Sequence, residues 1–346
     1  MVAYNICVYN VNYPCCVQFV NFLRKCSFVN TYSTQSCPVM FVSCVTVVFF
    51  NVLFQELASM LSPYLTGKVH SVERKLMCFL WLMGNTESFR SVADRFGMNK
   101  STLHLCISNV ADVLFKLAPQ ELIFPNDVSV MHAMTRTFDR FPGIIGCVDG
   151  TYIPMIGKTG PRRDSYICRK GFPALHAQIV CDNDLRILDI TTGYPGSVHD
   201  ARVFKNSSLY QRLQILPASF HLLGDSAYPL EPFIMTPYKD NGHLTAEQKK
   251  YNAVHSSSRC CVERCIGLLK GKFRRLKYFD AKDDLLMCKL IVGSAVVHNV
   301  ILSREGIETE VISVEPDASD TDTVTRTQNG HASAKRDKIC RELSVL

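Results

Sequence analysis

Three carboxylates stand where this sequence could place side chains for chemistry. Asp149 follows an apolar run and precedes Gly150, Asp225 closes another inside LLGDSAYP, and Glu263 lies in the basic stretch RCCVERCIGLLKGKFRRL. An acid at a strand end is carried into solvent by a rigid scaffold. A helix folded over two such strands can bring a third acid to the same place. Such a cluster repels itself unless cations neutralise it. Mg2+ and Mn2+ favour oxygen ligands and use a couple of carboxylates with water and substrate phosphate. Two ions about 4 Å apart activate a water and stabilise the leaving oxygen of an in-line displacement at phosphorus. Carboxylates, rather than His or Cys, therefore suit phosphodiester cleavage with a divalent metal cation.

Asp200, in GYPGSVHDAR, leaves two readings open: a further metal ligand, or a cap for the helix that follows Ser197 and His199. Asp164, Asp182, Asp184 and Asp189 fall in turns or on strands without a partner pattern, so turn chemistry and solvation account for them. Glu263, Gly267, Lys270 and Arg274 follow helical spacing and share a face beside the apolar stripe of Val262, Ile266, Leu269 and Phe273. Seven Lys/Arg and one acid lie between Arg259 and Lys277. A solvated basic helix is the bland account. The lone Glu on the cationic face favours phosphate binding, with Lys270 and Arg274 as contacts.

The elements that must position these acids follow from the periodicity. Gly143–Pro154, His176–Asp182, Arg186–Tyr194 and Phe220–Asp225 read as buried strands, the second and third joined at Asp182–Leu185. Asp200–Gln211 reads as a short helix, and Arg259–Leu276 and Leu285–Leu302 as long ones. The sum is a mixed α/β layer fold. Upstream, Val69–Gly84 reads as a helix. Phe89–Phe96 is a short helix ending at Gly97, and a second, capped by Asn99 or Ser101, stops before Pro119. This is the outline of a helix-turn-helix, with Lys100, Ser101, Thr102 and His104 at the start of a recognition helix. A plain helical hairpin packed on the next domain fits the same pattern.

At 346 residues the chain can bury a large core and a small one, and its net charge of +7 is modest. The 16 cysteines lack repeated C-x-x-C spacing and read as reduced, mostly buried thiols in an intracellular protein. Residues 1–55 form a Cys-rich apolar leader whose only charges are Arg24 and Lys25. Its segment Val39–Phe54 is apolar for about 16 residues, short of the roughly 20 a membrane span needs. A buried helix or a non-native leader is the preferred reading over a membrane anchor. From Glu305 to Asp322 there are seven acids and no bases, and 303–346 reads as a disordered tail.

IIGCVDGTYIPM, YICRKGFPALHAQIVCDNDLRILDITTGYPGSVHDARVF, LLGDSAYPLEPFIMTPY and the helix from Arg259 to Leu276 resemble the PIF/Harbinger transposases and their domesticated, nuclease-like relatives. SVADRFGMNKST followed by LIFP is similar to the family's helix-turn-helix region. The likeness spans 56–302 and excludes the leader. It implies a small all-α, helix-turn-helix-like region over 56–125 and a ribonuclease H-like DDE nuclease domain over 138–302. It also implies a triad of Asp149, Asp225 and Glu263 on Mg2+ or Mn2+, with Asp200 as rival for the second Asp or as a further metal ligand. DNA would meet Lys100, Arg169, Lys170, Lys270 and Arg274. The expected function is DNA cleavage by a transposase-derived endonuclease, with a catalytically silent DNA- or protein-binding module as the alternative. The resemblance further implies a nuclear protein, with the cytoplasm as second compartment, and a Myb/SANT-like partner; whether it forms a homo-oligomer the sequence leaves open. No membrane association is expected.

Overall fold

The computed structural model describes residues 52–65, 69–138, 140–160, 163–279, 283–305 and 330–345. The readings of the leader and of Val39–Phe54 fall almost wholly outside them, as does the acidic run beyond Glu305.

Strand β1 (Ile144–Pro154) lies at the centre of a five-stranded mixed sheet. It pairs antiparallel with β2 (Ala174–Cys181), and β2 pairs antiparallel with β3 (Ile187–Pro195). On its other side β1 runs parallel to β4 (His221–Leu223), and β4 runs parallel to β5 (Ile234–Met235). The order β3-β2-β1-β4-β5 is ribonuclease H-like, with the four expected strands in place. β2 is buried at every position, as a central strand covered on both faces must be. β5 escapes the sequence because two residues carry no periodicity. The β2–β3 turn places Leu185 at φ 62°, and the Asp182 carboxylate accepts the Arg186 N–H at 2.9 Å.

Before the sheet come α1 (Val52–Leu61), α2 (Val72–Gly84), α3 (Phe89–Arg95), α4 (Lys100–Glu121) and α5 (Val128–Thr137). Asn99 caps α4 by accepting the Thr102 N–H at 2.8 Å, and Gly97 turns the chain at φ 59°. The helix does not stop before Pro119. It runs on to Glu121, because a proline in the last turn removes only one hydrogen bond there.

After β3 the expected single helix is two, α6 (Asp200–Lys205) and α7 (Ser208–Leu213), with Ser207 capping the second. The long basic helix α8 begins earlier than expected, at Ala246, and runs to Lys272. Its start is a capping box of Thr245 and Gln248, a T-x-x-Q signal present in the sequence. At Phe273 (φ −108°, ψ 74°) the α-helix ends, and Arg274–Lys277 form a 3-10 turn. Arg274 therefore does not continue the face of Glu263 and Lys270. It is exposed on the turn instead.

Helix α9 (Asp284–Glu305) is, among the described residues, the one helix long and apolar enough to cross a membrane, and most of its apolar stretch is buried inside the protein. It packs closely on α4: a Cβ at Gly293 would lie 3.2 Å from Leu114 Cδ1, so the leucine would have to give way slightly. Asn299 of α9 accepts the Ile187 N–H at 2.8 Å and donates to the Ile187 and Glu121 carbonyls, joining α4, β3 and α9. The core runs without a break from Leu61 and Phe79 through Leu114 and Ile291 to Ile153 and Ile179. The helix-turn-helix outline is thus packed as a buttress against the sheet domain, with its Lys100 end exposed. On the opposite sheet face Phe204, Leu209 and Leu213 cover Val148, Val180 and Leu222.

The expectation of a disordered tail over 303–346 is corrected at both ends: α9 reaches Glu305, and Gly330–Val345 form a helix, α10. Ala332, Ile339 and Leu343, at helical spacing, are buried, and α10 packs against α8. Lys335 donates to the carbonyls of Phe220 (2.9 Å) and Pro232 (2.7 Å), which fixes α10 against the segments flanking β4 and β5. The described cysteines are free thiols, most of them buried.

Candidate active site

The parallel pairing of β1 and β4 ends with Cys147 opposite Leu223. Asp149 and Asp225 each lie two residues beyond that pair, so neighbouring strands deliver both acids at one level. Asp149 shares a strand face with Cys147 and Thr151, because side chains alternate along β1. That face meets α8. The Arg259 guanidinium approaches Asp149 Oδ2 at 3.3 Å, and Lys270 donates to Thr151 Oγ1 at 2.6 Å and to the Tyr152 carbonyl at 3.0 Å. Glu263 is half-buried one turn beyond Arg259, between these two anchors, and its charge acts on Arg259.

Gly150 points to the other face. A Cβ there would lie 2.6 Å from Asp200 Oδ1 and 2.8 Å from His176 Nε2. Only a glycine lets Asp200 come this close to β1. Asp200 is the first residue of α6 and does not cap it: the cap position is His199, and the Asp200 carboxylate instead hydrogen-bonds His176 Nε2.

The three aspartates act on one another. Burial, and then repulsion from Asp225 and Asp200, push Asp149 up to about 7, against the pull of Arg259 and of the Gly150 N–H. Burial and Asp200 likewise raise Asp225, while Arg259, the Ala227 N–H and Arg169 hold it back. The fields of all three aspartates reach the fully buried Tyr228 hydroxyl, which has no hydrogen-bond partner. This is an oxygen-rich cluster in which burial outweighs the positive charge that Arg259 and Arg169 supply. The donor set fits a hard divalent cation. As the side chains stand, no three His, Cys, Asp or Glu among the described residues are close enough to grip one.

Of the residues singled out from the sequence, the structure brings Asp149, Asp200 and Asp225 together and holds Glu263 beside Arg259. Arg169 lies near enough to act on Asp225, and Lys170 follows it on the same exposed turn. Lys270 is engaged with β1, and Lys100 stands at the exposed start of α4. Sequence reasoning missed Arg259, His176 and Tyr228 as members of the site. Arg259 carried a signal, four positions before Glu263 on the same helix face. His176 and Tyr228 carried none beyond being polar groups in buried runs.

Residues 148–299 match the family described as DDE superfamily endonuclease, whose domains are ribonuclease H-like and generally use divalent metals. The human protein named "Putative nuclease HARBI1" is 28% identical over 274 residues, covering 74% of this chain and 75% of its own. Its rat counterpart is 27% identical over 261 residues, covering 71% and 72%. "Protein ALP1-like" of Arabidopsis thaliana is 24% identical over 295 residues, covering 80% and 72%. No solved structure matches.

Proposed function

We propose that this chain, whose residues 148–299 match the DDE superfamily endonuclease family and which is similar to proteins named putative nuclease, is a Harbinger-derived, metal-dependent DNA endonuclease hydrolysing phosphodiester bonds. The observation that carries this reading is the convergence of Asp149, Asp200 and Asp225 where β1 outruns β4, with burial and mutual repulsion driving Asp149 to about 7. Asp149, Asp225 and Glu263 would hold Mg2+ or Mn2+, with Asp200 as a further ligand. When bound, such ions activate water and stabilise the leaving oxygen at phosphorus. Until then Arg259 offsets part of the repulsion among the aspartates. Arg169 and Lys170 draw a DNA phosphate towards Asp225, while Lys270 holds α8, and with it Glu263, at a fixed height on β1. Lys100 and Arg274 would meet DNA outside the pocket.

The relationship to the Harbinger group also supports DNA as partner in the nucleus, with the cytoplasm as second compartment, and a Myb/SANT-like protein as co-partner. A silent binding module is the second reading. One observation favours it: the Arg259 guanidinium already stands 3.3 Å from Asp149, a carboxylate that a metal would need.

The deciding experiment is cleavage of labelled duplex DNA by the full chain with Mg2+ or Mn2+, beside Asp149→Asn and Glu263→Gln. Metal-dependent cuts lost in both variants support the nuclease. Salt-sensitive DNA retention without cleavage, equal in wild type and variants of unchanged circular dichroism, supports the binding module.

A further inference from the structure

We propose that His176 is a positioning residue for Asp200, holding one carboxylate oxygen so that the other stays free and aimed at the pocket shared with Asp149. The inference rests on the metal-binding reading above. His176 stands on β2 with 1% of its surface exposed, directly across from Tyr152. Its ring is set edge-on to that tyrosine at 5.6 Å and 83°. Its main-chain carbonyl accepts the Thr192 hydroxyl at 3.2 Å. The imidazole therefore has little freedom before it meets Asp200.

Three features make this contact more than packing. First, the bond from His176 Nε2 to Asp200 Oδ1 crosses directly over Gly150, where any Cβ would intrude on both partners. Second, His176 Nδ1 is buried without a partner, so the tautomer that fits places the proton on Nε2, where it is donated to the carboxylate. Third, Asp200 begins a six-residue helix whose cap position makes no side-chain bond, so the local backbone does little to orient its carboxylate. His176 supplies that orientation from the sheet. Its donor fixes one oxygen without bringing a guanidinium into the pocket, in contrast to Arg259 on Asp149. Hydrogen-bonded partners behind a ligating side chain typically contribute 10–100-fold in metal affinity.

The test is Mn2+ binding to the full chain, followed by electron paramagnetic resonance of the free ion, with His176→Leu and His176→Gln. Glutamine carries an amide donor near the position of Nε2, whereas leucine fills the space without one. The expected result is at least a tenfold loss of affinity in His176→Leu and a loss under about threefold in His176→Gln, as the outer-shell range leads one to expect. Wild-type affinity in His176→Leu overturns the inference, and so do equal losses in both variants, which would make the effect one of packing. If wild type takes up no Mn2+, the metal reading itself falls, and this inference with it. Should His176→Leu not fold, nitrogen-15 NMR of the wild-type imidazole decides. A proton on Nε2, shifted downfield and moved by Asp200→Asn, sustains the contact, and a proton on Nδ1 overturns it.

Discussion

Arg259 of α8 and Asp149 of β1 form an ion pair 3.3 Å long whose acid is nonetheless pushed up to about 7. Burial outweighs the guanidinium, and the charges of Asp225 and Asp200 add to it. A site in that condition gains from any extra positive charge. The pair also ties the long helix to the central strand, so removing either partner acts on folding as well as on the pocket.

A double-mutant cycle measures that tie. Asp149→Asn, Arg259→Gln and the double variant, unfolded by urea without metal, should show a coupling on the order of 0.5–3 kcal/mol, as for contacting partners. Coupling indistinguishable from zero would mean that the pair is incidental.

The basic residues should separate by role. Lys270 donates two hydrogen bonds to β1, so Lys270→Met should cost about 1.5–3 kcal/mol of stability. It should leave the salt dependence of DNA binding unchanged. The double variant of Arg169→Ala and Lys170→Ala should do the reverse, flattening the slope of log affinity against log salt by about 0.9 for each phosphate no longer neutralised. The measurement is fluorescence anisotropy of labelled duplex at several salt concentrations. An unchanged slope in that double variant would remove the loop from the DNA interface.

Stability should carry the mark of Asp182 in the β2–β3 turn. Burial, opposed by the Arg186 N–H and with a smaller push from Asp184, raises its carboxyl from 3.8 to about 7. The folded state then holds a proton that the unfolded state has released. Its contribution is complete below pH 3.8 and is lost as pH rises towards 7. Asp182→Asn keeps the acceptor for the Arg186 N–H and does not titrate. Urea melts should therefore show wild type losing stability relative to the variant between about pH 4 and 7. His221 and His255, both pushed down by burial, act in the opposite sense but are common to both proteins and cancel. A difference that grows in favour of wild type with rising pH would refute the assignment.

Helix α10 should behave as part of the core. Leu343 is 2% exposed, and Leu343→Ala should cost about 2–5 kcal/mol in a urea melt. A cost below about 0.5 kcal/mol, the surface norm, would mean that α10 is not docked in solution.

Much of this was legible in advance. The apolar runs around Asp149 and Asp225 marked strands, and the acids at their ends marked the place where the carboxylates gather. The sequence could not say that both acids sit two residues past the last parallel pair, because that depends on register between segments far apart in the chain. Nor could it reveal that Tyr152 faces His176, which decides what Asp200 touches. Arg274 was misplaced because helical periodicity was carried past Phe273, where the backbone turns away. Helix α10 was missed because its apolar positions are few and follow a long acidic stretch.

The parallel contact between β1 and β4 has a kinetic consequence. Ile144 and His221 belong to one ladder but are separated by the whole β2–β3 hairpin and two helices. Local structure such as that hairpin can form early, but joining β1 to β4 requires closing a long loop first, and non-local pairings of this kind slow folding. The aspartates at the ends of those two strands therefore meet late in folding. In refolding experiments, secondary structure should return well before the pocket that gathers Asp149, Asp200 and Asp225.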